Sequence, residues 1–101
     1  MNFLKLIFGK KVNFQEVIST GAIILDVRTN GEYQAGHLKT SINIPIDKLQ
    51  QNIKKLNKNK PIITCCASGS RSAYAMSFLK SNGFEEVYNG GSWLSLRKYF
   101  S

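Results

Sequence analysis

Residues 61–72 read Pro-Ile-Ile-Thr-Cys-Cys-Ala-Ser-Gly-Ser-Arg-Ser, and three kinds of sequence meet in them. Pro61 to Cys65 is a short apolar run rich in β-branched residues, the pattern of a strand buried on both faces. Cys66 to Ser72 is small and polar. From Ser72 to Asn82 the spacing of Ala75, Met76 and Leu79 is that of one helix face, and Gly83 is placed to cap its end. Strand, short loop and helix make the repeating unit of a parallel α/β sheet. Sites in such sheets form beyond the carboxyl ends of the strands.

The same unit recurs on either side. Asn13-Phe-Gln-Glu16 has the spacing of a capping box, opening a short helix that should stop at Gly21. Ala22 to Val27 is a second buried-strand run, and Arg28 to Gly36 has room for one helical turn. Ser41-Ile-Asn-Ile-Pro45 alternates, with Pro45 ending any strand. Asp47 is placed to cap a helix carrying Leu49, Ile53 and Leu56, and the Asn57–Lys60 loop leads back to Pro61. Beyond Gly83, Glu86-Val-Tyr88 is a last short strand. Gly90-Gly91 should turn the chain into a final helical segment bearing Trp93, Leu94 and Leu96, with Trp93 in the core. The expected fold is α/β, a three-layer sandwich with a central, mainly parallel sheet and helices on both faces.

A chain of 101 residues, 43% hydrophobic and 20% charged, has the size and composition of one globular domain. That domain is expected to span 12–101, after a lead-in at 1–11. Met1 to Phe8 is apolar but is broken by Lys5 and closed by Gly9-Lys10-Lys11, too short for a membrane span and wrong for a signal peptide. The lead-in is expected to pack on the domain. A weaker alternative is membrane contact, with Lys5, Lys10 and Lys11 facing anionic groups. The net charge of +8 comes with no nucleic-acid motif, so it reads as surface that steers small anions. Cys65 and Cys66 are adjacent, which argues against a structural disulfide. With His37 the sole histidine and no Cys-x-x-Cys pair, no structural zinc site is expected. Free thiols fit a reducing cytoplasm.

Chemistry concentrates in the loop. A cysteine at the end of a strand is held rigidly, and the helix start beyond it offers unpaired N–H groups and a positive dipole end. The small residues Ala67, Ser68, Gly69 and Ser70 let successive amides turn inward around a sulfur, with Gly69 permitting angles other residues resist. A free thiol is only about 3% thiolate at neutral pH. Making thiolate the majority requires roughly 2.7 kcal/mol. A helix terminus supplies at most about 2 kcal/mol. Amide hydrogen bonds and Arg71 have to add the rest.

These motifs resemble the rhodanese-like, single-domain sulfurtransferase family from about Asn13 to Trp93. Asp26-Val-Arg28, Glu32-Tyr33, Gly36-His37-Leu38 and Ser41-Ile-Asn-Ile-Pro45 match its first half. Cys66-x-x-Gly69-x-Arg71-Ser72 matches its active-site loop. Gly83-Phe84, Val87-Tyr88 and Gly90-Gly91 match its closing stretch. The resemblance implies that Cys66 takes a sulfur from a donor as a persulfide and passes it to a thiol or cyanide, without cofactor, in two displacements. Cys66 and Arg71 would then be catalytic, and Ala67, Ser68, Gly69, Ser70 and Ser72 would bind the transferred sulfur. The implied partners are a small anionic sulfur donor or a persulfide-bearing protein, and a thiol acceptor. The protein is expected to act as a monomer. Asp26, Arg28, Glu32 and His37 are architectural in this reading, with Asp26 as a carboxylate partner for Arg71 and Arg28 facing Glu32 across one turn.

Two rivals share the sequence. Counted from Cys65, the stretch reads Cys-x5-Arg71, the loop of phosphatases and arsenate reductases with a related fold. A non-catalytic binding module is the third reading. The strand run Pro61 to Cys65 ends just before Cys66, and Gly69 then takes the position the resemblance requires, which favours Cys66 for the loop. Strand alternation sends Cys65 to the opposite face, into the core.

Overall fold

The computed structural model describes residues 12–100. The lead-in at 1–11, with its expected packing and its alternative membrane contact, lies outside the described residues. The elements in chain order are α1 (Phe14–Ser19), β1 (Ile23–Asp26), α2 (Asn30–Ala35), β2 (Ile42–Asn43), α3 (Leu49–Asn52) between the 3-10 turns Ile46–Lys48 and Ile53–Lys55, β3 (Ile62–Cys66), α4 (Ser70–Ser81), β4 (Val87–Ser92) and a 3-10 segment, Trp93–Tyr99. The strands form one sheet in the order β2-β1-β3-β4, and each neighbouring pair is parallel.

Central position explains the continuous apolar runs. β3 has a parallel partner on each side and is buried along its whole length. Its side chains divide between two cores. On one face Leu25, Ile62 and Cys66 pack with Leu49, Leu56, Ala75 and Leu79 from α3, its flanking turn and α4. On the other, Ile24, Ile63 and Cys65 pack with Leu96, and with Phe14, Val17 and Ile18 of α1. The result is the expected three-layer sandwich.

Local signals act as their chemistry requires, with some corrections. The Asn13 side chain accepts from the Glu16 N–H and opens α1. The reciprocal capping box stands one helix later. Thr29 accepts from the Glu32 N–H while the Glu32 carboxylate accepts from the Thr29 N–H, so Arg28 to Gly36 holds a capped helix of six residues. Asp47 does not cap a helix. Pro45 leads into a 3-10 turn that contains Asp47, and Lys48 takes the cap position of α3 with no side-chain bond. The helix expected from Ser72 begins at Ser70, so only three residues separate it from β3.

Gly90-Gly91 is not a turn between strand and helix. Both glycines lie within β4, whose pairing with β3 shifts register between Thr64 and Cys66. Gly91 takes the positive φ, 78°, that this irregularity requires. Gly90 is there for space: a Cβ would lie 2.8 Å from side-chain carbons of Ile63 and Leu96 and 2.9 Å from the Thr64 carbonyl oxygen. Trp93 is half-buried and packs against the second core, and Leu96 is the fully buried residue of that segment.

Gly90→Ala should therefore lower stability by about 1–3 kcal/mol through overpacking. Gly31→Ala is the control, since an added Cβ there meets nothing within 4 Å and the position is helical. It should leave stability unchanged or raise it by under about 1 kcal/mol. Thermal denaturation of the two variants checks both.

Candidate active site

At the carboxyl end of β3 the chain turns through Ala67, Ser68 and Gly69 into α4. Gly69 sits at the helix start with φ 110°, a conformation that side chains resist. This turn brings the Gly69 N–H to 3.0 Å and the Ser72 N–H to 3.4 Å from Cys66 Sγ. Sγ is also 3.4 Å from the Ser72 hydroxyl. Cys66 is buried, whereas Ala67, Ser68 and Ser70 of the turn around it are exposed. Burial by itself raises the thiol pKa, but the Ser72 hydroxyl and the N–H groups of Ser72, Gly69 and Ser68 favour the anion. The balance falls below the ordinary thiol value. The loop thus holds a thiol whose ionised form is favoured by the Ser72 hydroxyl and by backbone amides.

Cys65 has the opposite surroundings. It is buried in the second core beside Ile24, Leu38, Ile63 and Leu96. Burial, then the nearby Asp26 charge, push its thiol up to about 12. A thiol so raised is protonated at neutral pH, and its side chain points away from the loop. The Cys-x5-Arg reading would need this buried, protonated thiol as its nucleophile.

The charged residues pair differently from the sequence expectation. Asp26 does not meet Arg71, and Arg28 does not pair with the Glu32 carboxylate. Instead Arg28 Nη2 donates to Asp26 Oδ2 at 2.7 Å, and Nε lies 2.9 Å from Oδ1, with both residues buried. Arg28 Nη2 also donates to the Gly36 carbonyl at 2.7 Å, Nη1 reaches the Glu32 carbonyl, and the guanidinium lies 4.6 Å from the Trp93 ring centroid. One buried cation thereby ties β1, α2 and the segment after β4.

Arg71 forms a two-pronged pair with Glu32, at 2.7 Å from Nη1 to Oε1 and 3.1 Å from Nη2 to Oε2. Arg71 thus braces the end of the loop against α2, and its hydrogen bonds are to Glu32 rather than to Cys66 Sγ. The Arg71 guanidinium, then the Thr29 N–H, hold the Glu32 carboxyl at about 2. His37 is exposed, stacks on Tyr33 with centroids 3.8 Å apart, and donates from Nδ1 to the Tyr33 carbonyl. Those contacts place it in α2's surroundings, not at the sulfur.

Residues 11–93 match the Rhodanese-like domain. The chain belongs to the rhodanese-like domain family. A rhodanese-related protein from Thermoplasma volcanium is 33% identical and superposes with a TM-score of 0.72, covering 88% of this chain and 89% of that one. A rhodanese from E. coli, solved with anions, is 29% identical with a TM-score of 0.69, covering 73% and 89%. YrkF, a proposed sulfur carrier protein of Bacillus subtilis, is 35% identical over 82 residues, 81% of this chain. The chain spans only 42% of that relative's length. No helix among the described residues of this rhodanese-like domain is long and apolar enough to cross a membrane.

Two site residues escaped sequence reasoning. Thr64 donates its hydroxyl to the Ser72 carbonyl at 2.8 Å, fastening β3 to the first turn of α4. Asn89 on β4 reaches the loop, accepting from the Ser72 hydroxyl at 2.6 Å and from the Gly91 N–H at 2.9 Å. For Thr64 the signal was a polar residue in an otherwise apolar strand. For Asn89 there was none, since the expected strand ends at Tyr88, one residue before it.

Glu32→Gln tests the brace in this rhodanese-like domain. The pair is about a third exposed, so its loss should cost under about 1 kcal/mol at neutral pH. The depressed Glu32 pKa gives stability that is fully present above its ordinary 4.5 and disappears as pH falls towards about 2. Thermal melts across that acid window should show a shallower decline for Glu32→Gln than for the natural sequence.

Proposed function

We propose that this protein is a sulfurtransferase in which Cys66 carries a sulfane sulfur as a persulfide. The observation that supports it most directly is the approach of the Gly69 and Ser72 N–H groups to Cys66 Sγ at the end of β3. In the first step the Cys66 thiolate attacks the outer sulfur of a donor. An S–S bond forms to Sγ, the bond between that sulfur and the donor breaks, and the donor's leaving group departs with the electron pair. In the second, an acceptor thiolate or cyanide attacks the outer sulfur of Cys66-S-S⁻ and releases the Cys66 thiolate. Electrons balance within each displacement, so no outside oxidant or cofactor enters.

The donor in this reading is a low-molecular-weight or protein persulfide rather than thiosulfate. A dianion needs unspent positive charge at the mouth of the loop. The cation there, Arg71, is already neutralised by Glu32, and Ala67, Ser68 and Ser70 are uncharged. Amides that stabilise one anionic sulfur suit a persulfide, whose charge sits on a single atom. The reducing cytoplasm that maintains such donors is the proposed setting.

Assays of sulfur transfer and of aryl phosphate hydrolysis on two variants test the proposal. Cys66→Ser should lose all sulfur transfer, because a hydroxyl at neutral pH is a weak nucleophile and cannot carry the sulfur. Cys65→Ser should keep most of it, with a stability loss of about 1–3 kcal/mol from placing a hydroxyl in the core. An active Cys66→Ser, or an inactive but folded Cys65→Ser that accompanies phosphate hydrolysis in the natural sequence, would refute it.

A further inference from the structure

Ser72 has one hydroxyl proton and three neighbours able to receive it. Asn89 Oδ1 is 2.6 Å from Ser72 Oγ, the Gly69 carbonyl oxygen is at 3.0 Å, and Cys66 Sγ is at 3.4 Å. The Asn89 amide has a fixed orientation: Oδ1 accepts from the Gly91 N–H at 2.9 Å, and Nδ2 donates to the Gly69 carbonyl at 3.3 Å. Oδ1 is therefore the atom facing Ser72, and a bond of 2.6 Å is a short one for a neutral hydroxyl. With the proton on that bond, Ser72 Oγ offers a lone pair to the Cys66 S–H. The chain runs from Cys66 through Ser72 to Asn89, each donor strengthening the next.

Ionisation reverses the need. A Cys66 thiolate has no proton to give and seeks the Ser72 proton for itself. The hydroxyl then has to turn from Asn89 to the sulfur. We infer that Asn89 is a positioning residue for Cys66, setting how readily the sulfur becomes anionic by competing with it for the single Ser72 proton. This rests on Cys66 as the nucleophile of the proposed sulfur transfer, and extends the site to β4. The charged groups around the loop are the Arg71–Glu32 pair from α4 and α2, and Asp26 with Arg28 at the end of β1. Among the described residues, none of the four shares a side-chain hydrogen bond with Ser72 or Asn89. From β4, Asn89 bonds to Ser72, and the uncharged Ser92 is the register partner of Cys66.

The competition makes opposite demands on two variants, which a loop merely loosened would not meet. Asn89→Leu removes the nearer of the two competing acceptors and leaves the Gly69 carbonyl at 3.0 Å, so the Ser72 proton is freer to serve the thiolate. Asn89→Asp keeps the acceptor and makes it anionic, so the proton is held more tightly and the added charge opposes the thiolate. Thiolate ultraviolet absorbance followed against pH reads Cys66 without a reagent having to reach it, and Cys65, at about 12, titrates outside the range. At a pH below the natural midpoint, Asn89→Leu should raise the thiolate fraction about fivefold, the factor that separates a charged from a neutral hydrogen bond. Asn89→Asp should move the midpoint the other way. In a Ser72→Ala background the Asn89→Leu effect should vanish and the Asn89→Asp effect should shrink to its through-space charge.

A midpoint that rises in Asn89→Leu, or stays put, overturns the inference, as does a shift that survives intact without the Ser72 hydroxyl. Should Asn89→Leu fail to fold, the near-isosteric Asn89→Asp decides alone: an unchanged or lowered midpoint overturns the proposal. The titration follows a thiolate and not a transferred sulfur. A protein that takes up no sulfur, yet shows these opposed shifts, would sink the sulfurtransferase reading and leave the role of Asn89 standing.

Discussion

β3 has a parallel neighbour on each side and no exposed residue, so its side chains have only two places to go. Alternation sends Ile62, Thr64 and Cys66 to one face, and Ile63 and Cys65 to the other. A slip of one residue would exchange the two cysteines and put each apolar side chain into the core packed for its neighbour. The register is held by packing on both faces, by the ladders to β1 and β4, and by the Thr64 hydroxyl on the first turn of α4. Cys66 reaches the loop amides because the sheet leaves it no alternative.

Two ion pairs then determine what the loop can do. Asp26 and Arg28 form a buried joint, and removing one partner would strand the other's charge at a cost of about 3–5 kcal/mol. Arg71 and Glu32 form an exposed brace worth far less in stability. The brace spends the positive charge of Arg71 on holding the loop, which leaves the Ser72 hydroxyl and the loop amides as the groups that favour an anionic sulfur. That division favours a singly charged sulfur over a dianion in the proposed chemistry.

Much of this was legible in the sequence where one physical signal dominates. Continuous apolar runs gave β1 and β3, the 3.6-residue spacing of Ala75 and Leu79 gave the buried face of α4, and Gly69 marked the positive-φ residue beneath the sulfur. The partners of Asp26, Arg28, Glu32 and Arg71 were not legible. Two acids and two arginines allow two pairings, and the choice depends on where α2 lies, which no local pattern reveals. Gly90-Gly91 resembled a turn because paired glycines usually mark one. Here Gly90 answers to crowding by Ile63, Leu96 and the Thr64 carbonyl, a tertiary constraint. Asn89 was hidden for the same reason, its loop partners Ser72 and Gly69 lying 17 and 20 residues away in the chain.

The chemical account depends on a sulfur that is buried and yet ionises readily. Burial alone would hold Cys66 as an inert core thiol, the fate of Cys65 one residue earlier. The Ser72 hydroxyl and the inward-turned amides make the difference. Intact-protein electrospray mass spectrometry after incubation with a low-molecular-weight persulfide tests this most directly. A gain of about 32 Da, one sulfur atom, removed by reductant and absent from Cys66→Ser, is the predicted result. A protein that gains no mass, or a Cys66→Ser variant that gains the same mass, would contradict the account.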